Sequence, residues 1–101
     1  MIRHSVRHVV QAGEMGRFVK AFRDMNAAAP AAGLPRYRLW HTIFGDLDEV
    51  WAEAEFDSLE SHVSAWTNAQ ENQELMTALH AMVSACVPAT IHDYPLELLD
   101  G

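Results

Sequence analysis

Six histidines, at positions 4, 8, 41, 62, 80 and 92, are the side chains of this chain best suited to moving protons near neutral pH. Their spacing does not preassemble a metal centre. His4 and His8 are four apart, but on a strand pattern, which puts them on one face about 13 Å from each other and too far to share an ion. A site would need convergence from different elements, for example His8 with His62 or His80, so no metal is expected. The chemistry that remains is acid–base: His8, His41 or His62 could orient or deprotonate a phenol. Trp40, Trp66 and Phe56 would give such a substrate apolar aromatic walls between helices and sheet. Plainer readings stand beside this one. His41 also reads as a satisfied half-buried imidazole, and the tryptophans as core and interface anchors. There is no Gly-rich phosphate loop, nucleophile elbow or Cys–Cys pair, which leaves nucleotide hydrolysis and triad chemistry unsupported.

The elements that must position these residues follow from hydropathy period. Residues 2–10 alternate as a strand, with Ile2, His4, Val6, His8 and Val10 on one face and Arg3, Ser5, Arg7 and Val9 on the other. Met15, Phe18, Val19, Phe22 and Met25 recur at helical spacing, and Pro30 and Gly33 end that helix. Residues 37–57 read as two strands around a Gly45-Asp46-Leu47-Asp48 turn, running into a helix capped by Asp57 and Glu60. A polar stretch, Thr67 to Glu74, interrupts that helix, and Asn72 can cap its second half. Pro88 stops it, and residues 89–94 supply a last strand before a Pro95 tail. The order βαββαβ predicts an α+β, ferredoxin-like antiparallel sheet of spatial order 4-1-3-2, with two helices, the second broken, on one face.

Residues 1–101 are expected to form a single domain. Half of the residues are hydrophobic, and one sheet face lies beyond the reach of the helices, so a homodimer is the economical way to cover it. Residues 1–38 carry all seven Lys and Arg against Glu14 and Asp24, whereas residues 39–101 carry twelve acids and no Lys or Arg, for a net charge of −7. With Arg3 and Arg7 on one strand face and Glu49, Glu53 and Glu55 on a neighbouring one, the halves should neutralise each other across the sheet. An Arg pocket for an anionic ligand is the functional alternative. The acidic balance, without a basic–aromatic patch, argues against nucleic acid. The single Cys86, in an apolar helical run, reads as a buried thiol in a reducing cytoplasm. No apolar run reaches bilayer length, and the first residues lack a signal-peptide core.

With Trp40-His41, the run Glu49-Val-Trp-Ala-Glu-Ala-Glu-Phe-Asp-Ser-Leu59 and the split second helix in view, the chain resembles the dimeric α+β barrel superfamily. Within it, the nearer resemblance is to NIPSNAP-like proteins and antibiotic-biosynthesis-type monooxygenases, over nearly the whole chain. What the resemblance implies is a ferredoxin-like protomer whose sheet packs on its twin's. Members include cofactor-independent oxygenases of polycyclic phenols, haem-degrading enzymes, lactone isomerases and proteins without assigned activity. His62, His80, Trp66, Asn68 and Asn72 supply the residue types of the haem-degrading pattern but not its order. No haem ligand is transferred, and no cofactor is expected. A small aromatic or hydrophobic ligand is the partner implied, with a non-catalytic binding or assembly module as the alternative.

Overall fold

Period-two alternation becomes strands β1 (Ile2–Val9) and β3 (Glu49–Phe56) in a computed structural model that describes residues 1–43 and 48–101. The two strands pair antiparallel at the centre of a four-stranded sheet of order β2-β3-β1-β4, with β2 (Arg38–His41) and β4 (His92–Glu97) at its edges. Every neighbouring pair is antiparallel, giving the ferredoxin-like α+β arrangement expected from the sequence. The turn read at Gly45-Asp46-Leu47-Asp48 lies mostly on residues 44–47, outside the described residues.

Register follows the face assignment. Ile2, His4, Val6 and His8 stand opposite Phe56, Ala54, Ala52 and Val50, and this face meets helices α1 (Met15–Ala28), α2 (Leu59–Ala69) and α3 (Gln73–Ser84). Phe18 and Leu75 are fully buried in the layer between, with Phe22, Met25, Ala78 and Met82 around them. On the other face Arg7 donates from Nη2 and Nε to Glu49 Oε2, at 2.6 and 2.9 Å, while Trp51 Nε1 donates to Glu49 Oε1 at 3.0 Å. The Arg7 guanidinium first, and the Trp51 N–H second, hold the Glu49 carboxyl below the usual carboxylate range. Arg3 lies 3.6 Å from Glu53 and 3.9 Å from Glu55. Part of the uneven charge of the chain is thus neutralised across its central strand pair.

Boundaries differ from the sequence reading at the start of α2 and at both ends of β4. Ser58, not Asp57, is the N-cap of α2: its Oγ accepts from Ser61 N at 3.1 Å, and Ser61 Oγ accepts from Ser58 N at 3.0 Å. Both Asp57 and Ser58 have capping side chains, and only the backbone path chooses between them. The last strand, read over residues 89–94, instead starts at His92 and runs through Pro95 to Glu97. An edge strand tolerates proline because its missing N–H is not needed by a neighbour. The broken second helix is as read, with Asn72 Oδ1 accepting from Leu75 N at 2.9 Å to start α3. Cys86 is buried, donates to the Met82 carbonyl at 3.3 Å, and has its thiol pKa pushed up by burial. Among the described residues no helix is long and apolar enough to cross a membrane.

Candidate functional site

Because β1 places His4 and His8 under the helices, the space between sheet and helices carries imidazoles in a largely apolar wall. That space is a cavity of about 420 Å³. Val6, Ala52 and Met82 line it, with Leu79 and Val83 from α3, and His62 and Trp66 reach it from α2. Asp93 and Pro95, on exposed β4, also line it. A pocket of this size and character suits a small, largely apolar organic ligand.

Its polar end is a connected chain of hydrogen bonds. His4, 6% exposed, has its Nε2 2.8 Å from Asp93 Oδ1 and its Nδ1 2.6 Å from the Tyr37 hydroxyl. Trp66 Nε1 donates to the same hydroxyl at 2.9 Å. An ionised carboxylate only accepts, so in the neutral imidazole of His4 the hydrogen sits on Nε2 and Nδ1 accepts from Tyr37 O–H. Helix α1 places Tyr37 through its backbone: Asn26 donates to the Tyr37 carbonyl and accepts from its N–H, both at 2.8 Å. That clamp keeps the phenol in one place although the residue lies just before an edge strand.

Electrostatics sort the titratable groups. The hydrogen bond from His4 is the main reason that the Asp93 carboxyl lies below its usual range; the neighbourhood of His8 and His62 adds to it, while burial opposes. Burial raises the Tyr37 pKa, partly countered by the Trp66 hydrogen bond, so the phenol stays protonated. His8 is pushed down to about 4 by burial, with the Asp93 charge pulling the other way. His62 is lowered too, first by burial and then by the nearby His4. Neither ring nitrogen of His62, nor Nδ1 of His8, has a hydrogen-bond partner among the described residues, and all three atoms are buried. Neutral imidazoles with unmet hydrogen-bonding capacity beside a largely apolar cavity are suited to a ligand hydroxyl or carbonyl.

Of the residues singled out from the sequence, His8, His62 and Trp66 come together at the cavity. Phe56 backs it, its ring centroid 4.8 Å from His62 and 6.4 Å from His4. Trp40 and His41 lie elsewhere, on β2, beside a separate depression lined by Met15, Val19, Leu39 and Val50. Trp40 is 51% exposed, with the Arg38 guanidinium 5.9 Å above its ring. His80 is exposed, and among the described residues no three His, Cys, Asp or Glu side chains gather into a metal-ligating cluster. Sequence reasoning did not assign His4, Tyr37 or Asp93 to the site. His4 had a signal, the strand face it shares with His8; Tyr37 and Asp93 had none.

Fold and cavity together define a ferredoxin-like α+β protein with a ligand-sized space between its sheet and its helices. Solved structures share this architecture. A NIPSNAP family protein from Agrobacterium tumefaciens superposes with a TM-score of 0.81 at 18% identity, covering 98% of this chain and 86% of its own. A Caulobacter crescentus protein provisionally described as an antibiotic biosynthesis monooxygenase gives 0.75 at 18% identity, covering 98% of this chain and 90% of its own. An uncharacterised NIPSNAP domain protein from Burkholderia xenovorans gives 0.76 at 15%, covering 97% and 94%. The resemblance drawn from the sequence is thus met by solved structures of both kinds, and at these identities what is shared is the fold. No protein-family model and no curated protein matches the chain.

Proposed function

We propose that this chain is a small-molecule enzyme of the cofactor-independent monooxygenase type, acting on a small hydroxylated aromatic compound held between helices and sheet. One observation carries the reading: unpartnered imidazole nitrogens of His62 and His8 border an apolar cavity that also contains the ordered Tyr37–His4–Asp93 chain. Apolar walls hold the ring system, and the imidazoles meet its oxygens. A substrate that supplies its own electrons balances the reaction, since a phenol and one dioxygen give a quinone and one water. With 1-naphthol as probe, the expected result is tight binding with stoichiometric oxygen uptake and appearance of quinone absorbance. Failure of 1-naphthol and its dihydroxy analogues to bind would sink the reading. Binding without oxygen uptake would favour a second one, a ligand-binding module without turnover, supported by the fact that both His4 nitrogens already have partners.

The assembly we propose is a homodimer through the outer sheet face, in a reducing cytoplasm consistent with the buried thiol of Cys86. Exposed Trp40, Tyr94 and Leu96 lie on that face beside the Arg7–Glu49 pair, a mixture of aromatic anchors and charge that fits an interface. Native mass spectrometry at micromolar concentration should show twice the 11.3 kDa chain mass. A monomer there would overturn the assembly.

A further inference from the structure

The three cavity imidazoles are not equivalent as bases. A neutral imidazole becomes charged once it has taken a proton, and an imidazolium buried without a carboxylate is costly. Among the described residues, neither His62 nitrogen nor His8 Nδ1 has a hydrogen-bond partner, and no carboxylate is bonded to either ring. His4 has one, with Asp93 on one nitrogen and the Tyr37 hydroxyl on the other. With both nitrogens engaged, His4 has none left to offer a ligand. Tyr37 does have capacity: its one hydrogen goes to His4, Trp66 fills one lone pair, and among the described residues nothing fills the second, on a side chain that lines the cavity.

We infer that Tyr37 is the catalytic residue that receives the ligand's proton, relaying it to His4, with Asp93 as a positioning residue that orients and stabilises the His4 imidazolium. The inference rests on the proposed reading of the cavity as a site for a hydroxylated aromatic. In the step, the ligand O–H bond breaks and leaves its electron pair on the ligand oxygen. The proton bonds to Tyr37 Oη while the hydrogen already there passes to His4 Nδ1. Oxyanion and imidazolium form together, the net charge of the cavity is unchanged, and Tyr37 never becomes a free tyrosinate. The arrangement is that of a carboxylate–imidazole–hydroxyl triad in which the hydroxyl transmits a proton instead of attacking. Two features prepare it. The Asn26 clamp holds the Tyr37 backbone, and the Asp93 side chain, 68% exposed, lets the acquired proton exchange with water.

4-Nitrophenol is a direct probe, because its anion absorbs visible light and binding is read separately from ionisation. On the wild-type protein, below the probe's own pKa, the bound probe should be largely ionised. Tyr37→Phe should bind it with an affinity within about threefold, yet reduce the ionised fraction at least about tenfold. Asp93→Asn, at an exposed edge position that leaves the core intact, should reduce ionisation without loss of binding. His62→Gln should weaken binding while the bound probe stays ionised. Undiminished ionisation in Tyr37→Phe and Asp93→Asn, or its loss in His62→Gln alone, would overturn the relay and leave the cavity reading standing. No binding to the wild-type protein would remove both.

Discussion

Replacing Phe18 by alanine is expected to lower the free energy of unfolding by about 3–5 kcal/mol, the range for truncating a buried aromatic side chain. Phe18 is fully buried, and its ring stands edge-on to His8 with 5.1 Å between centroids. It comes from α1 and meets the inner face of β1, between a helix and a sheet held by their own hydrogen bonds. The wall therefore has little freedom to close over the lost volume, which is the condition that pushes such substitutions to the costly end. Urea denaturation at pH 7 reads the effect as a lower midpoint with an unchanged slope. A loss below about 1 kcal/mol would mean that the layer collapses freely, contrary to the packing described here. The substitution also opens the space beside His8, so water should relieve part of the desolvation that depresses its pKa.

Acidification from pH 6.5 to about 4 is expected to remove roughly 3 kcal/mol of stability through His8 alone. In the unfolded chain this imidazole takes its proton near its ordinary value of 6.5, but in the folded protein only near 4. Between those values the unfolded state binds a proton that the folded state refuses. The contribution of His8 is therefore present above 6.5 and lost as the pH falls toward 4. His62, lowered as well, acts in the same direction. Asp93, with its carboxyl below the usual range, contributes stability that persists above the ordinary carboxylate value and disappears only at more acidic pH. His8→Leu should flatten the pH dependence between 6.5 and 4 and leave stability at pH 7 equal or higher, since a buried ring nitrogen without a partner is replaced by an apolar group. Urea midpoints at pH 7, 6, 5 and 4.5 decide this. Parallel curves for the two proteins would show that His8 is not the titrating group.

Much of the fold was legible because strand and cap signals are local. Alternation in residues 2–9 and 49–56 assigns each side chain to a face without knowledge of anything distant, and that assignment separated the Arg–Glu surface from the histidine surface. Asn72 was legible as a cap for the same reason, since its partner is Leu75. Pro95 misled because a proline stops a central strand but not an edge one, and edge status depends on the whole sheet. Trp40 and His41 show the limit in the site itself. Neighbours in sequence on a strand, they point to opposite faces, and β2 lies at the sheet edge away from β1, whose histidines line the cavity.

By itself, then, the sequence determined the order of elements, the two faces of the central strands and the presence of His4 and His8 beneath the helices, because these rest on periods of two and 3.6 residues. Tertiary structure alone decided which histidine has a carboxylate. His4 meets Asp93 across 89 positions and Tyr37 across 33. Those contacts arise from the β1–β4 register and the docking of α1 on the sheet, which no local period encodes.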